Sequence, residues 1–253
     1  MSGSTAQKTT VTYDVPDADE SWELLEEDVP ESAWHDAIIE LLKLILRAWA
    51  ERTRVSALIA SNLALRWRRD RWKVGVDPDV AMYIPPPPEG EDTQSVCTWE
   101  PGHGPPHIAI EVVSRSTAKK DYVTGPDQYA ASGTTEVWVF DPKRLGPKVH
   151  GGPFVLQVWR RNETGDFRQI YRGDGPFQSP AMGAWLVVTD NGMRLRLADD
   201  PEGTRLWLTT AESAEYERQR AEMERQRAEQ RSLELESKIG ALQAELERLR
   251  NHA

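Results

Sequence analysis

Apolar positions along the chain alternate between helical and strand-like spacing, which predicts a fold containing both α-helices and β-strands. Apolar side chains recur three or four residues apart from Trp34 to Trp49, and this spacing predicts an amphipathic first helix. Between Val55 and Ile84 the apolar runs are short and extended, as in a meander of antiparallel strands. Segment 85–106 is rich in proline and glycine, so we expect it to form a loop between neighbouring strands.

The middle of the chain has the pattern of a strand, a helix and a second strand. "HIAIEVV" is an uninterrupted apolar strand with one acid, and "TEVWVFD" is a second strand. Between them "STAKKDYVTGPDQYAAS" predicts a helix or broken helix that ends at Gly133. Such a unit normally makes its two strands parallel. Two predicted hairpins follow, the second around Asn191 and Gly192, so the predicted fold class is α+β.

The C-terminal part of the chain is typical of a coiled coil. Proline is absent from residues 211–253, and Glu, Arg, Gln, Ala and Leu dominate. An unpaired helix of this kind would expose its leucine seam, so we expect a homodimer formed through these residues. The alternative is a single solvated helix with paired charges. The seam positions that fall seven residues apart are Ala221, Ala228, Leu235, Leu242 and Leu249.

These patterns divide the chain into three predicted regions. Residues 1–30 are polar and acidic, which predicts a flexible N-terminal segment. Residues 31–208 form the predicted globular domain, and residues 211–253 form the predicted coiled coil.

Composition favours a soluble, cytoplasmic protein. Cys97 is the only cysteine, so no internal disulfide can form, and no apolar stretch is long enough to cross a bilayer. A net charge of -10 counts against nucleic acid as a partner, but "RWRRDRWK" at 66–73 concentrates cations locally. Its arginines could contact phosphates while Trp67 or Trp72 stacks on bases. The alternative is a charged hairpin turn whose tryptophans alternate inward.

Three acidic residues, Asp79, Glu111 and Asp121, lie where predicted strands end or bend. Asp79 falls in "DPDVAMY", and Glu111 has apolar neighbours in "HIAIEVV". A buried carboxylate without a partner is costly, so each should be protonated, paired with a base or bound to a cation. Two such carboxylates close together would favour Mg²⁺ or Mn²⁺. The alternative is a turn aspartate beside a proline and a glutamate in a salt bridge.

The order of these motifs resembles a known family. "PDV", a spacer, "HIAIEVVSRST", "KKD" and "QYAASGTTEVWVFDP" look like the Uma-two family of restriction-endonuclease-like proteins over about residues 31–200. The resemblance implies the PD-(D/E)xK nuclease fold, which is a mixed sheet flanked by helices with acidic residues at one sheet edge. In this chain we expect β-hairpins and a coiled-coil helix to follow that sheet. The implied activity is Mg²⁺-dependent hydrolysis of phosphodiester bonds in DNA.

The resemblance also implies roles for individual residues. Asp79 matches the first metal-binding acid, Glu111 matches the second, and the carbonyl of Val112 or Val113 would complete the metal shell. Asp121, which follows them in the chain, is predicted to be a loop or helix-cap acid, and the alternative is a role in the site.

The sequence departs from the family pattern at the catalytic lysine. The motif position two residues after Glu111 is valine, and the alternative position on the following helix is Gly125. Lys119, Lys120 and Gln128 are therefore the candidates for orienting the attacking water. A different class of function stays open, in which a catalytically degenerate nuclease fold serves as a binding or assembly module that oligomerises through its coiled coil.

Overall fold

The computed structural model describes Trp22, residues 33–148 and residues 152–251. The predicted flexible segment 1–30 lies outside these residues, apart from Trp22. The chain folds as two compact units, one ending at Trp207 and one beginning at Leu208.

In its described residues, the first unit contains two α-helices and short β-strands. The second unit consists of the helix α3, Thr210–Arg250. The elements of the first unit are α1 Ala33–Thr53, β1 Leu58–Ala60, β2 Ala64–Arg66, β3 Gly75–Val76, β4 Val80–Tyr83, β5 Ser95–Cys97, β6 Ile108–Val112, α2 Gly125–Ser132, β7 Glu136–Phe140, β8 Leu156–Arg161, β9 Phe167–Gly173, β10 Phe177–Gln178, β11 Trp185–Thr189 and β12 Arg194–Ala198.

A six-stranded mixed sheet in the order β1-β4-β6-β7-β8-β9 forms the centre of the first unit. The strands β6 and β7 are parallel and are connected through α2, as predicted for the strand, helix, strand pattern. The remaining neighbours in this sheet are antiparallel, including the predicted hairpin β8-β9. The expected α+β class with a mixed sheet is therefore confirmed.

Two three-stranded sheets accompany the large one. One contains β10, β11 and β12, and its turn carries Asn191 and Gly192 at positive φ, as the predicted second hairpin requires. The other has the order β3-β2-β5. The predicted meander is instead a nested pair of hairpins, because β1 pairs with β4 while β2 pairs with β3.

Segment 85–106 contains one strand that we did not predict. Residues Ser95–Cys97 form β5, which pairs in parallel with β2 at the edge of the small sheet. These residues lie in a stretch without proline between Pro88 and Pro101, and Val96 is fully buried. An edge strand of this length needs few backbone partners, so a loop rich in proline and glycine can accommodate it.

Strand alternation divides the core between the two faces of the large sheet. On β6, Ile108 and Ile110 pack with α1 in one apolar cluster, whereas Ala109 packs with Tyr129 of α2 in the other. Successive strand residues point to opposite faces, so Glu111 lies on the same face as Ala109. The sheet therefore directs this acid toward α2.

The second unit begins with a complete helix cap. The Thr209 hydroxyl accepts the backbone N–H of Glu212, and the Glu212 carboxylate accepts the backbone N–H of Thr209. The sequence also places Ile239 and Leu246 at the alternate seam position of the last two heptads. The predicted seam lies on the surface of this helix, because Leu242 and Leu246 are 61% and 59% exposed. The structure confirms a long helix here, while pairing of that helix stays a prediction.

Candidate active site

The first two site residues, Asp79 and Glu111, lie on neighbouring strands at one end of the large sheet. The β4 and β6 register pairs Val80 with Ile110, so Asp79 and Glu111 are the next residues along their strands. The Asp79 Oδ2 atom accepts the backbone N–H of Val112 at 2.6 Å. Asp79 and Glu111 are 6% and 2% exposed, and the structure thus brings together the two acids that the sequence singles out.

The carboxyl group of Glu111 is buried between a phenol and an ammonium group. The Tyr129 hydroxyl donates a hydrogen bond to Glu111 Oε1 at 2.6 Å, and the Lys120 Nζ atom lies 3.7 Å from the same oxygen. Burial raises the pKa of Glu111 well above its ordinary value; Lys120 opposes this rise, and Asp121 and Asp79 add to it. A nearby cation would therefore stabilise the ionised form of this buried carboxyl group.

Lys120 lies at the start of a wide, π-helical turn, Lys120–Thr124, that leads into α2. The N–H of Gly125, the first residue of α2, donates to the carbonyl of Lys120, five residues earlier. The next residue, Pro126, has no N–H to donate. A Cβ atom at Gly125 would lie 3.1 Å from that carbonyl oxygen. The turn explains why a small residue occupies the expected lysine position while Lys120 supplies an ammonium group at the site.

Three carboxylates surround the Lys120 ammonium group. Its Nζ atom lies 3.8 Å from Asp77 Oδ1 and 3.9 Å from Asp121 Oδ1, in addition to its contact with Glu111. Burial alone would lower the pKa of Lys120, but these carboxylates outweigh burial and raise that pKa above its ordinary value. The lysine is therefore a cation at neutral pH.

Asp121 belongs to this cluster, although the sequence favoured a loop or cap role for it. Its side chain is buried, and the Thr117 hydroxyl donates to Asp121 Oδ2 at 2.6 Å. Burial, opposed chiefly by Lys120, raises the pKa of Asp121 to about 7. In the sequence, its position next to Lys120 was the one indication that Asp121 belongs to the site. Only the structure of the π-helical turn shows that both side chains lie close to Glu111.

His35, at the start of α1, reaches the same end of the sheet. Its Nε2 atom donates to the carbonyl oxygen of Val112 at 2.6 Å and lies 3.3 Å from Asp79 Oδ2. A carbonyl can only accept, so this ring nitrogen carries the proton. The histidine thereby holds the backbone of Val112, which follows Glu111 and whose N–H also binds Asp79.

The other two candidate residues from the sequence are placed differently. The side chain of Lys119 is exposed, whereas that of Lys120 reaches the carboxylates. Gln128 is buried, and its Oε1 atom has no hydrogen-bond partner among the residues that the structure describes. No hydrogen bond in the same described ranges links Gln128 to Asp79 or Glu111.

The donor set fits a small divalent cation. Within residues 33–148 and 152–251, no group of three or more His, Cys, Asp or Glu side chains is spaced to hold a metal ion. Mg²⁺, however, is commonly held by one or two protein carboxylates and completes its shell with water and substrate phosphate. Asp79 and Glu111 supply such a pair, and the Val112 carbonyl keeps a second lone pair beside its bond from His35.

Comparison with known proteins identifies the family. The family model Uma2, described as "Putative restriction endonuclease", matches residues 13–167, which is more than half of the chain. The protein belongs to the Uma2 family, as the sequence resemblance predicted. The restriction-endonuclease-like families to which it is related generally use divalent metal ions.

A solved structure shows a weaker similarity. It is titled a putative nuclease belonging to DUF820 from Anabaena variabilis, with 16% identity and a TM-score of 0.43 over 63% of this chain and 78% of that chain. No curated protein matches the sequence. In the described part of the chain, no helix has both the length and the apolar character needed to cross a membrane.

Proposed function

We propose that this protein is a metal-dependent endonuclease that hydrolyses phosphodiester bonds in DNA. Membership of the Uma2 family supports a nuclease. The observation that carries the proposal for this chain is the contact between the Lys120 ammonium group and Glu111, next to Asp79 at the same sheet end. Two acids and a lysine form the minimum set that the family pattern requires, and we propose that Lys120 is this lysine.

In this proposal Asp79 and Glu111 are the metal ligands, with Mg²⁺ or Mn²⁺ as the ion. Both carboxylates are already fixed by protein hydrogen bonds, Asp79 from the Val112 N–H and Glu111 from the Tyr129 hydroxyl. Preorganised ligands lose little conformational entropy when they bind a cation. The bound ion supplies charge neutralisation and a lower pKa for the attacking water.

Lys120 acts in the proposal as a hydrogen-bond donor. Because its pKa is raised, Nζ keeps its proton near neutral pH and can orient a water molecule or contact a phosphate oxygen. Asp121 is the better proton acceptor, since its pKa of about 7 is close to the working pH. These two neighbouring residues would thus divide the tasks that a single unprotonated lysine could perform.

The proposal predicts that metal binding depends on pH. A divalent ion must displace the proton that burial holds on its ligand Glu111, and its charge also favours the ionised form of neighbouring Asp121, whose pKa is about 7. Affinity for Mn²⁺ should therefore rise as the pH increases toward about 7. Each proton released increases the affinity by at most about tenfold per pH unit. Isothermal titration in buffers of different ionisation enthalpy measures both the affinity and the proton release.

The matched control for this experiment is the double variant Asp79→Asn with Glu111→Gln. These amides keep the shape of the carboxyl groups but remove the charge, and we expect binding of Mn²⁺ to be lost. Wild-type affinity that does not change with pH, or binding that persists in the double variant, would contradict the assignment of these ligands.

We also propose that α3 assembles the protein as a homodimer. Its seam residues are apolar yet lie on the surface, with Ile239 54% exposed and Leu249 65% exposed. Pairing with the same helix of a second copy would bury these side chains at about 25 cal/mol for each Å² of apolar surface. The assembly role that the sequence left as an alternative is compatible with catalysis by the other unit.

The dimer is tested by placing charges in the seam. The double variant Leu242→Glu with Leu246→Glu would bury like charges against each other, so we expect a monomer where the wild-type protein is a dimer. Ala241→Glu with Ala244→Glu adds the same charge outside the seam and should stay dimeric. Light scattering after size-exclusion chromatography measures both masses. A wild-type monomer, or dissociation of both double variants, would refute pairing through the seam.

The predicted cytoplasmic location remains part of the proposal. Cys97 is the only cysteine and is a buried free thiol, which suits a reducing compartment. DNA in the same compartment would be accessible to the enzyme.

A further inference from the structure

We propose that the turn between β2 and β3, residues 67–74, is a binding surface for unpaired DNA bases beside the cleaved bond. The proposal rests on the proposed function for the position of that bond. The turn is closed by the pairing of Arg66 with Gly75, and β3 then leads directly to Asp77 and Asp79. The surface is therefore continuous in the chain with the acidic site.

Trp72 is the aromatic residue of this surface. Its side chain is 60% exposed, which makes it the most exposed large hydrophobic residue described in the unit that ends at Trp207. Trp67, in contrast, is partly buried against the core, with its ring 6.3 Å from that of Trp22. The two tryptophans of "RWRRDRWK" therefore differ, and the inward alternation predicted as one alternative holds for Trp67 alone.

Cations surround the exposed ring. The guanidinium carbon of Arg66 lies 5.7 Å from the Trp72 ring centroid, and the Lys73 Nζ atom lies 5.9 Å from it. Arg66 also donates to the carbonyl of Trp72 at 2.7 Å, which fixes the backbone beneath the ring. Both cations lie over the ring as cation–π partners, and aromatic rings combined with cationic side chains in this way are typical of surfaces that bind single-stranded nucleic acid.

The charge of the turn is opposite to that of the whole protein. Residues 66–73 carry five cationic side chains and one acid, Asp70, whereas the chain has a net charge of -10. Arg68 pairs with Asp70, at 2.9 and 2.7 Å. Arg69 is exposed and pairs with none of the described residues, so it can meet a phosphate without losing an internal partner.

The short chain segment between Trp72 and Asp77 limits how far a base stacked on Trp72 can lie from the acidic site. Trp72 and Asp77 are five residues apart, and a fully extended chain of that length spans at most about 18 Å. A strand in B-form DNA advances about 3.4 Å per nucleotide, so this reach corresponds to about five nucleotides. Asp77 in turn lies 3.8 Å from the ammonium group of Lys120.

The exposed ring favours unpaired bases over an intact duplex. Inside a duplex both faces of each base are covered by neighbouring bases, so a protein ring can stack only where a base is unstacked or at an end. Cationic side chains alone would bind duplex and single strand through their phosphates. The combination at this turn therefore indicates DNA with a single-stranded stretch next to the cleaved bond.

Fluorescence anisotropy of labelled DNA tests this surface in the full-length protein with EDTA, so that no cleavage occurs. We expect Trp72→Ala to weaken binding of a single-stranded oligonucleotide by about tenfold, or about 1.4 kcal/mol, and binding of a blunt duplex by less than about twofold. Trp72→Phe should recover most of the affinity because it retains an aromatic face. Arg69→Ala should weaken both DNAs and lower the salt slope by about one.

Two variants serve as matched controls. Tyr216→Ala removes an aromatic side chain that is 61% exposed in α3, and Arg231→Ala removes an exposed arginine there. Neither should change the affinity for either DNA. An unchanged affinity of Trp72→Ala for single strands, an equal loss for both DNAs, or no binding of single strands by the wild-type protein would overturn the proposal.

The failure of this surface can be distinguished from failure of the proposed function. Metal-dependent cleavage that proceeds at the same rate in Trp72→Ala, with unchanged binding, would reject the surface and keep the nuclease. Selective binding of single strands through Trp72 without any metal-dependent cleavage would keep the surface and reject the nuclease.

Discussion

Glu111→Gln is expected to lower the rate of metal-dependent DNA cleavage by about 10²–10³-fold, the range found when one group that stabilises transition-state charge is removed. The amide retains an oxygen that can accept from the Tyr129 hydroxyl but lacks the negative charge that attracts a cation. Initial rates with Mg²⁺ and with Mn²⁺ on linear DNA measure the loss. Because burial penalises the ionised carboxyl group, the variant should keep the melting temperature of the wild-type protein.

Glu136→Gln is the matched control for this change, since Glu136 is a second fully buried acid on the neighbouring strand β7. Its carboxylate accepts hydrogen bonds from Ser179, from Trp138 at 2.7 Å and from Arg160 at 3.1 Å. Breaking this buried pair should lower the free energy of unfolding by roughly 2–4 kcal/mol while cleavage per folded molecule stays unchanged. Glu111→Gln with full activity, or Glu136→Gln with an equal loss of activity, would show that Glu111 is not a catalytic ligand.

Lys120→Ala is expected to lower kcat by about 10²-fold, because it removes the only ammonium group found beside Glu111 in the described part of the chain. Lys119→Ala is the adjacent control. Because the Lys119 side chain is exposed, its loss should change kcat by less than about twofold. Lys120→Arg keeps the charge in a different shape and should restore part of the rate. Single-turnover cleavage of DNA by the three variants measures these effects.

The pH profile distinguishes a catalytic role of Lys120 from a structural one. The pKa of Lys120 is raised, so the wild-type rate should show no lysine titration near neutral pH, whereas Asp121 should give a rise centred near pH 7. If Lys119→Ala lost as much activity as Lys120→Ala, or if Lys120→Ala cleaved at the wild-type rate, the assignment of Lys120 would be wrong.

Hydrophobic spacing was sufficient to predict the elements that carry the acids. The strand "HIAIEVV" is apolar except for Glu111, so its burial and the cost of its acid were both visible in the sequence. In the structure β6 pairs with β4 so that Val80 lies opposite Ile110, which places Asp79 and Glu111 on one face. The burial of Glu111 was predictable from the pattern, whereas the proximity of Asp79 to it was expected only from the family resemblance.

The choice among Lys119, Lys120 and Gln128 was not predictable from spacing. A regular helix and a π-helical turn direct successive side chains differently, and the turn depends on Gly125 and on the missing N–H of Pro126. The same turn brings Asp121 into the site. Which of these side chains contacts Glu111 depends on the backbone conformation of the turn, and the hydrophobic pattern does not specify that conformation.

Strand β5 was missed for a related reason. Proline and glycine dominate segment 85–106 as a whole, and this composition outweighed the short apolar stretch Ser95–Cys97. Its pairing with β2 depends on tertiary contacts across the small sheet, which local propensity does not describe.

The most direct test of the account is a crystal structure of the protein soaked in Mn²⁺ and measured at a wavelength where manganese scatters anomalously. We expect one anomalous peak within coordination distance of both Asp79 and Glu111, with the Lys120 ammonium group nearby but outside the metal shell. A peak that contacts neither carboxylate, or a fully ordered site without any peak at saturating Mn²⁺, would contradict it.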